Sequence, residues 1–225
     1  RQLGCSTCGF SMYSPQIVNT SERFTSITAG GKHTCALQVE GETYCWGENS
    51  NFQLGYPTGT PNRSSVPLKV TTTLAFSSIY SGKDFNCGLS AEGIAYCWGD
   101  NTLNQLGRTS SSQTDPPTAV DTTETFLTLS LGGAHACGLN EEGDTYCWGS
   151  NEYGQLGWGD LSGPEAALNV NPVDTTDKYI SISLGGSHSC GLMIDGTGSC
   201  WGGDGNGQIG NAKIYPAGLP PQEVT

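Results

Sequence analysis

The sequence predicts an all-β fold, an open or partial propeller or solenoid whose blades contain about four short antiparallel strands each. One pattern occurs four times, and the cysteines that open the copies are 52, 50 and 53 positions apart: Cys35, Cys87, Cys137 and Cys190. A period of about 50 residues is typical of propeller blades and is longer than ankyrin, tetratricopeptide or leucine-rich units. The 33 glycines and 11 prolines among 225 residues indicate many turns between short strands.

Each copy follows one order of segments. A proline-containing segment ends in a valine, and a Thr-rich stretch leads to an alternating strand such as Phe24-Thr25-Ser26-Ile27-Thr28. A Gly-Gly-x-His turn, a hairpin with two cysteines and a Gln-Leu-Gly or Gln-Ile-Gly segment complete the copy. Alternation with period 2 predicts antiparallel strands, and no segment has a helical period. The sequence therefore predicts one repeat array over 1–225, divided as follows: N-terminal segment 1–14, repeats 15–66, 67–115, 116–171 and 172–218, and the start of a further repeat at 219–225.

The cysteines of each copy enclose nine residues with an acidic residue at the midpoint: Glu40, Glu92, Glu142 or Asp195. A three-residue loop centred there, with the next glycine in the left-handed conformation, places the two cysteines opposite one another. Opposed residues of this kind have Cα atoms about 4.5 Å apart, within disulfide range. Zinc is the competing interpretation, but zinc clusters usually pair cysteines roughly two to four positions apart. The spacing predicts four disulfides: Cys35–Cys45, Cys87–Cys97, Cys137–Cys147 and Cys190–Cys200.

Four disulfides predict an oxidising compartment, and we expect a secreted, extracellular protein. Arg1-Gln2-Leu3-Gly4 is polar, so a secretion signal would precede this numbering. Cys5 and Cys8 could bond each other or link neighbouring protomers. Asn19 and Asn62 begin N-glycosylation sequons in predicted loops, and we expect both to be acceptors in a eukaryotic secreted protein.

The charge and hydropathy exclude several classes of partner. The net charge is −12, with 9 Lys and Arg against 21 Asp and Glu. Binding to phosphates needs clustered basic residues, which the sequence lacks, so neither nucleic acid nor an anionic membrane surface is an expected partner. The chain has no run of about 20 apolar residues, so no membrane insertion is predicted.

Three repeated motifs carry a resemblance to a known family. Gly-Gly-x-His-x-Cys-x-Leu, x-x-Gly-x-x-Tyr-Cys-Trp-Gly and Asn-x-x-Gly-Gln-Leu-Gly resemble the regulator-of-chromosome-condensation repeats over about residues 15–225. The resemblance implies a β-propeller, commonly of about seven blades. The paired cysteines resemble the secreted members, such as ectodomains of plant crinkly-type receptor kinases. The nuclear founding member is a nucleotide-exchange factor for a small GTPase, a function that fits poorly with four disulfides.

The ends of the chain resemble fragments of a repeat. Arg1-Gln2-Leu3-Gly4 matches the Gln-Leu-Gly that closes a copy, and Leu219–Thr225 matches the start of one. The sequence could be an excerpt of a longer array or a protomer whose ends complete the repeats of its neighbours. Unpaired terminal strands would expose sheet edges that invite another chain, so we expect self-association, for example into a filament.

Candidate chemical sites are weak. His33, His135 and His188 occupy equivalent positions, but Phe85 replaces the histidine in the second copy, so backbone or turn contacts are favoured over a metal site. Asp204-Gly205-Asn206-Gly207 lacks the later ligands of a calcium loop and is interpreted as a turn. No serine-hydrolase elbow, phosphate loop or zinc-protease motif occurs. We therefore expect no enzymatic activity, no metal and no cofactor.

The aromatic residues leave two interpretations open. The repeated tryptophans Trp46, Trp98, Trp148 and Trp201 are expected to pack between blades. Trp158 lies outside the repeat pattern and could, with Tyr153, bind a glycan or anchor an interface, or it could pack locally. The predicted function is an extracellular structural and interaction module that self-assembles into a filament through incomplete terminal repeats. The alternatives are a lectin-like module and the ligand-binding ectodomain of a receptor, so the expected partners are a second copy, another extracellular protein or glycans.

Overall fold

The computed structural model describes residues 14–56, 62–109, 116–159, 166–211 and 222–223, with only the backbone of 166–168 and 222–223. These residues form sixteen strands in four four-stranded antiparallel sheets and no helix. The predicted all-β class with propeller-type blades and one disulfide in each repeat is therefore confirmed. The chain divides into two compact units, the first containing blades 1 and 2 and the second containing blades 3 and 4.

Each blade is built from four consecutive strands in chain order. Blade 1 consists of β1 (Ser26–Ala29), β2 (His33–Leu37), β3 (Thr43–Glu48) and β4 (Arg63–Lys69). Blade 2 consists of β5 (Ser78–Ser81), β6 (Phe85–Leu89), β7 (Ala95–Gly99) and β8 (Thr118–Ala119). Blade 3 consists of β9 (Thr128–Leu131), β10 (His135–Leu139), β11 (Thr145–Ser150) and β12 (Ala166–Pro172). Blade 4 consists of β13 (Tyr179–Leu184), β14 (His188–Met193), β15 (Gly198–Gly202) and β16 (Gln222–Glu223).

The fourth strand of each sheet lies near the start of the following sequence unit: β8 and β16 lie inside that unit, whereas β4 and β12 begin before it and end within it. Lys69 pairs with Tyr44 of β3, immediately before Val70. At the end of the chain, Gln222 pairs with Cys200 of β15 in the same way. The sheets therefore do not coincide with the sequence units, and the predicted unit boundaries stay predictions about the sequence repeat.

The central hairpin of each blade has the predicted geometry. In blade 1 the amide of Gln38 donates to the Glu42 carbonyl (2.9 Å), which leaves a three-residue loop that ends at Gly41 with φ 86°. This loop puts Cys35 opposite Cys45, with their Cα atoms 4.1 Å apart. The same arrangement recurs in the other blades, so four disulfides are present: Cys35–Cys45, Cys87–Cys97, Cys137–Cys147 and Cys190–Cys200. Cys5 and Cys8 lie outside the described residues.

Successive residues of a strand point to opposite faces of the sheet, so adjacent Cys45 and Trp46 define two different faces of blade 1. We call these the disulfide face and the tryptophan face, and the same two faces exist in every blade. In the first unit, Cys35 and Cys45 of blade 1 belong to one buried apolar cluster with Trp98 of blade 2. In the second unit, Cys137 and Cys147 cluster with Trp201 in the same way. Within each unit, the disulfide face of one blade therefore packs on the tryptophan face of the next, as expected for the repeated tryptophans.

Candidate interaction site

The packing between blades 1 and 2 shows which side chains of a neighbouring blade cover a disulfide face. Leu37 lies beside the disulfide, and Leu54 and Val70 extend the surface; all three are at most 4% exposed. Blade 2 covers this surface with Phe76, whose ring stacks on Trp98 at a centroid distance of 5.9 Å. Burying an apolar surface that includes two aromatic rings supplies most of the favourable free energy of such a contact.

The packing between blades 3 and 4 repeats this arrangement with one aromatic exchanged. Leu139 and Leu156 of blade 3 are buried against Tyr179 and Trp201 of blade 4, whose rings stack at 6.0 Å. Lys178, next to Tyr179, pairs with Asp144 in the hairpin of blade 3. Because both side chains are largely exposed, this ion pair favours the register of the two blades more than their stability.

Glycines allow this close approach. In the Gly-Gly-x-His turn of blade 1, a Cβ on Gly30 would overlap the folded-back ring of His33, and a Cβ on Gly31 would lie 2.7 Å from the Lys83 carbonyl oxygen of blade 2. The Gly31 amide instead donates to that carbonyl at 2.9 Å. In the second unit the Gly133 amide donates to the Gly186 carbonyl at 3.1 Å. The second glycine of the turn is therefore a contact point for the next blade.

A buried histidine links the two blades of each unit. The Nε2 atom of His33 lies 2.7 Å from the Asn86 Oδ1 of blade 2, while the Asn86 Nδ2 donates to the Gln53 carbonyl of blade 1 at 2.7 Å. Since an amide oxygen only accepts hydrogen bonds, His33 carries its proton on Nε2. Sequence reasoning expected turn or backbone contacts for this histidine and missed its side-chain partner, which is 53 residues away.

The second unit makes the equivalent contact with a hydroxyl. Ser189 Oγ donates to the Gln155 carbonyl at 2.8 Å, so it accepts from His135 Nε2, which lies 3.0 Å away. Burial lowers the pKa of His135 to about 3, and His188 nearby acts in the same direction. Burial also lowers the pKa of His33, against a smaller opposing effect of the hydrogen bond to Asn86. Both imidazoles are thus held neutral at physiological pH.

The Gln-Leu-Gly segment fixes a loop at the edge of each contact. The Asn49 side chain accepts from the Leu54 amide (2.9 Å), and the Gln53 side chain accepts from the Asn51 amide (2.9 Å). A Cβ on Gly55 would lie 3.1 Å from Trp98 Nε1. In blade 4, the Asp204 side chain accepts from the Ile209 amide at 3.0 Å. This bond corresponds to the one between Asn49 and Leu54 in blade 1, and it supports the interpretation of this segment as a turn.

The disulfide face of blade 4 carries the same residue types as the covered faces, yet it is exposed. Leu192 is 42% exposed, whereas the equivalent Leu37 and Leu139 are 4% and 3% exposed. The Cys190–Cys200 disulfide, His188 and Ile209 are also more exposed than their counterparts in blade 1. A Cβ on Gly186 or Gly196 would meet nothing within 4 Å. Among the described residues no blade packs on the disulfide face of blade 4, and we take this face as the candidate interaction site.

The tryptophan face of blade 1 is exposed where that of blade 2 is covered. Ile27 is 63% exposed, against 7% for the equivalent Ile79 in blade 2. Phe24 stacks on Trp46 at 6.2 Å, as Phe76 does on Trp98, but Phe24 is only half-buried. Ile27 and the half-buried Phe24 therefore leave an apolar part of this face open to solvent.

The structure describes both residues of the predicted glycan-binding pair, Trp158 and Tyr153. Trp158 is half-buried and packs against the apolar cluster that contains Leu156 and Trp201, which supports local packing. Tyr153 is 43% exposed. The side chains of Asn19 and Asn62 are exposed, and their glycosylation stays a prediction.

Among the described residues, no group of three or more His, Cys, Asp or Glu side chains is arranged to hold a metal ion. The part of the chain that the structure describes also contains no helix long and apolar enough to cross a membrane.

One set of site residues was missed by sequence reasoning. The glycine after each blade tryptophan has a positive φ: Gly47, Gly99, Gly149 and Gly202 at 109°, 107°, 99° and 104°. In blade 1 a Cβ there would lie 2.5 Å from the Lys32 carbonyl oxygen, beside a register shift between Cys45 and Gly47. This glycine lets β3 bend around the turn before His33. The repeated Trp-Gly dipeptide was the signal that could have revealed it.

Successive blades of each unit pack with the disulfide face of one against the tryptophan face of the next. This arrangement identifies the class of protein, a repeat protein built from β-propeller blades. Models of the "Regulator of chromosome condensation (RCC1) repeat" match residues 24–53, 76–105 and 127–155, and residues 40–89, 92–139 and 142–192. The second set covers more than half of the chain, so the chain belongs to the regulator-of-chromosome-condensation repeat family.

Known proteins resemble the chain in sequence and in structure. The RCC1 domain-containing protein RUG3, mitochondrial, of Arabidopsis thaliana is 32% identical over 206 residues, which are 89% of this chain and 35% of that protein. The crystal structure of human WBSCR16 matches with a TM-score of 0.83 at 22% identity, over 100% of this chain and 60% of that one. This likeness shows the fold.

A further similar structure is the entire ectodomain of the receptor kinase CR4 from Physcomitrella patens. It matches with a TM-score of 0.56 at 25% identity and covers 84% of this chain and 43% of that chain. The chain thus spans less than two thirds of the length of each of these proteins.

Proposed function

We propose that the protein is an extracellular structural and interaction module that assembles with further copies of itself through its terminal blades, for example into a filament. One observation carries the proposal. The described residues of the disulfide face of blade 4 match those of the faces that bind a blade in the two units, and its Leu192 is 42% exposed.

The extracellular location is supported by two further observations. Four disulfides of ten-residue separation lie in the blade hairpins, and the paired cysteines of blades 1, 2 and 3 are fully buried. Such bonds persist in oxidising compartments and are rare in the cytosol. Likeness to the CR4 ectodomain points the same way, whereas the relative RUG3 is named as mitochondrial.

The test of assembly is sedimentation velocity of the purified, unreduced protein over a wide concentration range, followed by negative-stain electron microscopy. We expect species that grow with concentration and regular filaments at the highest concentrations. A protein that stays monomeric throughout would contradict the proposed function.

The location has a separate test. The protein would be expressed in cells from its full-length reading frame, and its cysteines would be trapped by alkylation before mass spectrometry. We expect the protein in the medium with the blade cysteines protected as disulfides. Recovery in mitochondria with free thiols would contradict the extracellular assignment.

The second candidate function is the ligand-binding ectodomain of a receptor, favoured by the likeness to CR4. The full-length reading frame distinguishes it, because a receptor would add a membrane-spanning segment after the repeats. In that case the exposed face of blade 4 would be covered by a later blade or by the receptor's ligand.

A further inference from the structure

We infer that a cavity beside the hairpin of blade 1 binds a primary alkylammonium group, such as the end of a lysine side chain or of a small amine. The cavity has a volume of about 380 Å³ and lies within the first unit, between the loop that joins β2 to β3 and the segment 70–75 that leads into blade 2. This inference is independent of the proposed assembly.

The lining of the cavity is of two kinds. Val70, Leu74 and Ala75 contribute apolar atoms, and the carboxylates of Glu40 and Glu42 contribute negative charge. Ligand sites of about 300–1,000 Å³ typically join an apolar lining to a few polar groups that orient the ligand. A short alkyl chain that ends in a positive charge is complementary to both kinds of lining.

Thr43 adds a buried polar group to the cavity. It is 2% exposed, and among the described residues its Oγ1 has no hydrogen-bond partner. An unpaired buried hydroxyl is costly, and the cost is removed when a ligand donates a hydrogen bond to it. The equivalent Thr145 of blade 3 is also buried without a partner for its hydroxyl. The hydroxyl therefore adds a hydrogen bond, whereas the carboxylates select the charge of the ligand.

The second unit has a lysine at the position where the first unit has an alanine. A Cβ on Gly41 would lie 2.9 Å from the Cβ of Ala75, and a Cβ on Gly143 would lie 3.1 Å from the Cβ of Lys178. The following residue donates its amide to the carbonyl of the hairpin glycine in both units, at 3.0 and 2.9 Å. Ala75 and Lys178 therefore occupy the same place beside their hairpins.

The lysine of the second unit shows which chemistry this place accepts. The Nζ atom of Lys178 pairs with the carboxylate of Asp144, which precedes Thr145 as Glu42 precedes Thr43. The second unit thus carries its own alkylammonium group beside the hairpin. In the first unit the short side chain of Ala75 does not reach the carboxylate, so the same group can come from another molecule.

The carboxylates of the first unit favour a cation. Glu42 pairs with Lys69 at 2.6 Å, and both side chains are about half exposed. The hydrogen bond to Glu42 raises the pKa of Lys69, and the charges of Glu42 and Glu22 act in the same direction. Glu40 lines the same cavity and has no ion-pair partner among the described residues, so its carboxylate can pair with a second cation.

The experiment is a titration of the nitrogen-15-labelled, unreduced protein, followed through its backbone amide resonances by NMR. The probes are n-butylammonium chloride and Nα-acetyl-lysine N-methylamide, and neutral 1-butanol is the control ligand. We expect saturable shifts at Gly41, Thr43 and Ala75 in the millimolar range, as suits a ligand of few atoms. The shifts should shrink as salt is added, and 1-butanol should bind at least about threefold more weakly.

A matched pair of variants separates the cavity from general attraction to an acidic protein. Glu40 and Glu142 are the exposed midpoints of equivalent hairpins, so neither change should affect folding. Glu40→Gln should weaken binding of butylammonium about threefold to fivefold, and Glu142→Gln should leave it unchanged. Equal weakening by both variants would overturn the inference.

Two further variants exchange the lysine between the units. Ala75→Lys gives the first unit the side chain that the second unit has, and this tethered ammonium group should weaken binding of the probes at least about fivefold. Lys178→Ala should create a second site, seen as new saturable shifts at Gly143 and Thr145. The amide spectrum confirms that each variant is folded. Binding to Ala75→Lys that equals binding to the wild-type protein would overturn the inference.

The two probes also distinguish the source of the ammonium group. A capped lysine that binds at least as tightly as butylammonium supports a lysine side chain of a partner protein. Binding of butylammonium with rejection of the capped lysine supports a free amine. Rejection of both probes overturns the inference and leaves the proposed assembly untouched.

Discussion

The disulfide faces of blade 1 and blade 4 have the same composition, but only the first is covered. Leu37 is 4% exposed in blade 1, and its counterpart Leu192 is 42% exposed in blade 4. Blade 2 supplies Phe76 and Trp98 to the first face, and no described residue supplies such an aromatic pair to the second. The hairpin, the disulfide and the turn form in either situation, because each depends on contacts within its own blade.

The two disulfide faces show which features of a blade form without contact to the next blade. The geometry of Gly41 and Gly196 is nearly the same, with φ values of 86° and 90°, although only Gly41 touches the next blade. The repeat therefore carries the means of binding a neighbour in every copy. Packing of a neighbouring blade removes the side chains of the disulfide face from water. The effect of this burial on stability can be measured by comparing variants of blades 1 and 4.

The largest expected effect of covering is on the histidines. Burial lowers the pKa of His33 and brings that of His135 to about 3, so the unfolded chain, with a histidine pKa of about 6.5, binds more protons than the folded chain between these values. For His135 the stabilising contribution is complete above about pH 6.5 and is lost as the pH falls towards 3, at roughly 1.4 kcal/mol per pH unit. The contribution of His33 is also lost as the pH falls below about 6.5. Urea denaturation from pH 7.5 to 4 measures the slope.

The histidine prediction is checked with neutral replacements. His135→Gln should reduce the pH dependence of the unfolding free energy by the contribution of one histidine, and the double variant His33→Gln/His135→Gln should reduce it further. Carboxylates contribute equally to all three proteins, so the differences isolate the imidazoles. An unchanged slope in the double variant would show that these side chains are not buried neutral.

The next largest effect concerns the disulfides, which stabilise a blade both as covalent links and as packed side chains. Cys35→Ala/Cys45→Ala and Cys190→Ala/Cys200→Ala remove bonds of the same sequence separation, 10, so each should lose about 2–3 kcal/mol through the unfolded state. The blade 1 pair is completely buried under blade 2, and we expect its removal to cost about 1–2 kcal/mol more.

Chemical denaturation of both double variants, at a concentration below that of assembly, measures the difference between the two disulfides. Equal losses would mean that the covered disulfide contributes nothing by its packing.

The smallest effect concerns the hairpin glycines. Gly41→Ala and Gly196→Ala both place an alanine at a positive φ, which costs about 1 kcal/mol. A Cβ on Gly41 would also lie 2.9 Å from Phe76 backbone atoms, whereas one on Gly196 meets nothing within 4 Å. We expect Gly41→Ala to be more destabilising by about 1–2 kcal/mol in thermal or urea unfolding. Equal losses of stability in the two variants would mean that blades 1 and 2 move apart at Gly41 with little cost.

The fold of each blade could be predicted from the sequence because its determinants are local. Nine residues between two cysteines, with a glycine after the midpoint, fix the loop, and the loop fixes the register that pairs Cys35 with Cys45. The packing role of the repeated tryptophans followed from their regular position. The segment that forms the fourth strand could not be predicted from the sequence. In blade 1 this segment lies before Val70 and pairs with β3 across a loop whose length varies between the repeats.

The candidate site was predicted only in outline. Fragments of a repeat at the two ends of the sequence suggested association with another chain, but they did not indicate the face that would be used. Trp158 stood out in the sequence because it departs from the repeat, yet the structure packs it against the core of its own unit. Leu192, by contrast, is unremarked in the sequence, because nothing in the spacing of blade 4 shows that its face is uncovered.

The sequence by itself determined the central hairpins and the four disulfides, since each rests on residues within about a dozen positions of one another and on backbone preferences of glycine. Only the tertiary structure decided the partners of the histidines and the exposure of the faces. His33 bonds to Asn86 and His135 to Ser189, across 53 and 54 residues, and the atoms that meet there are set by how one sheet lies on the next. Burial depends on which surfaces come together, so residues of identical pattern can be core in one blade and binding surface in another.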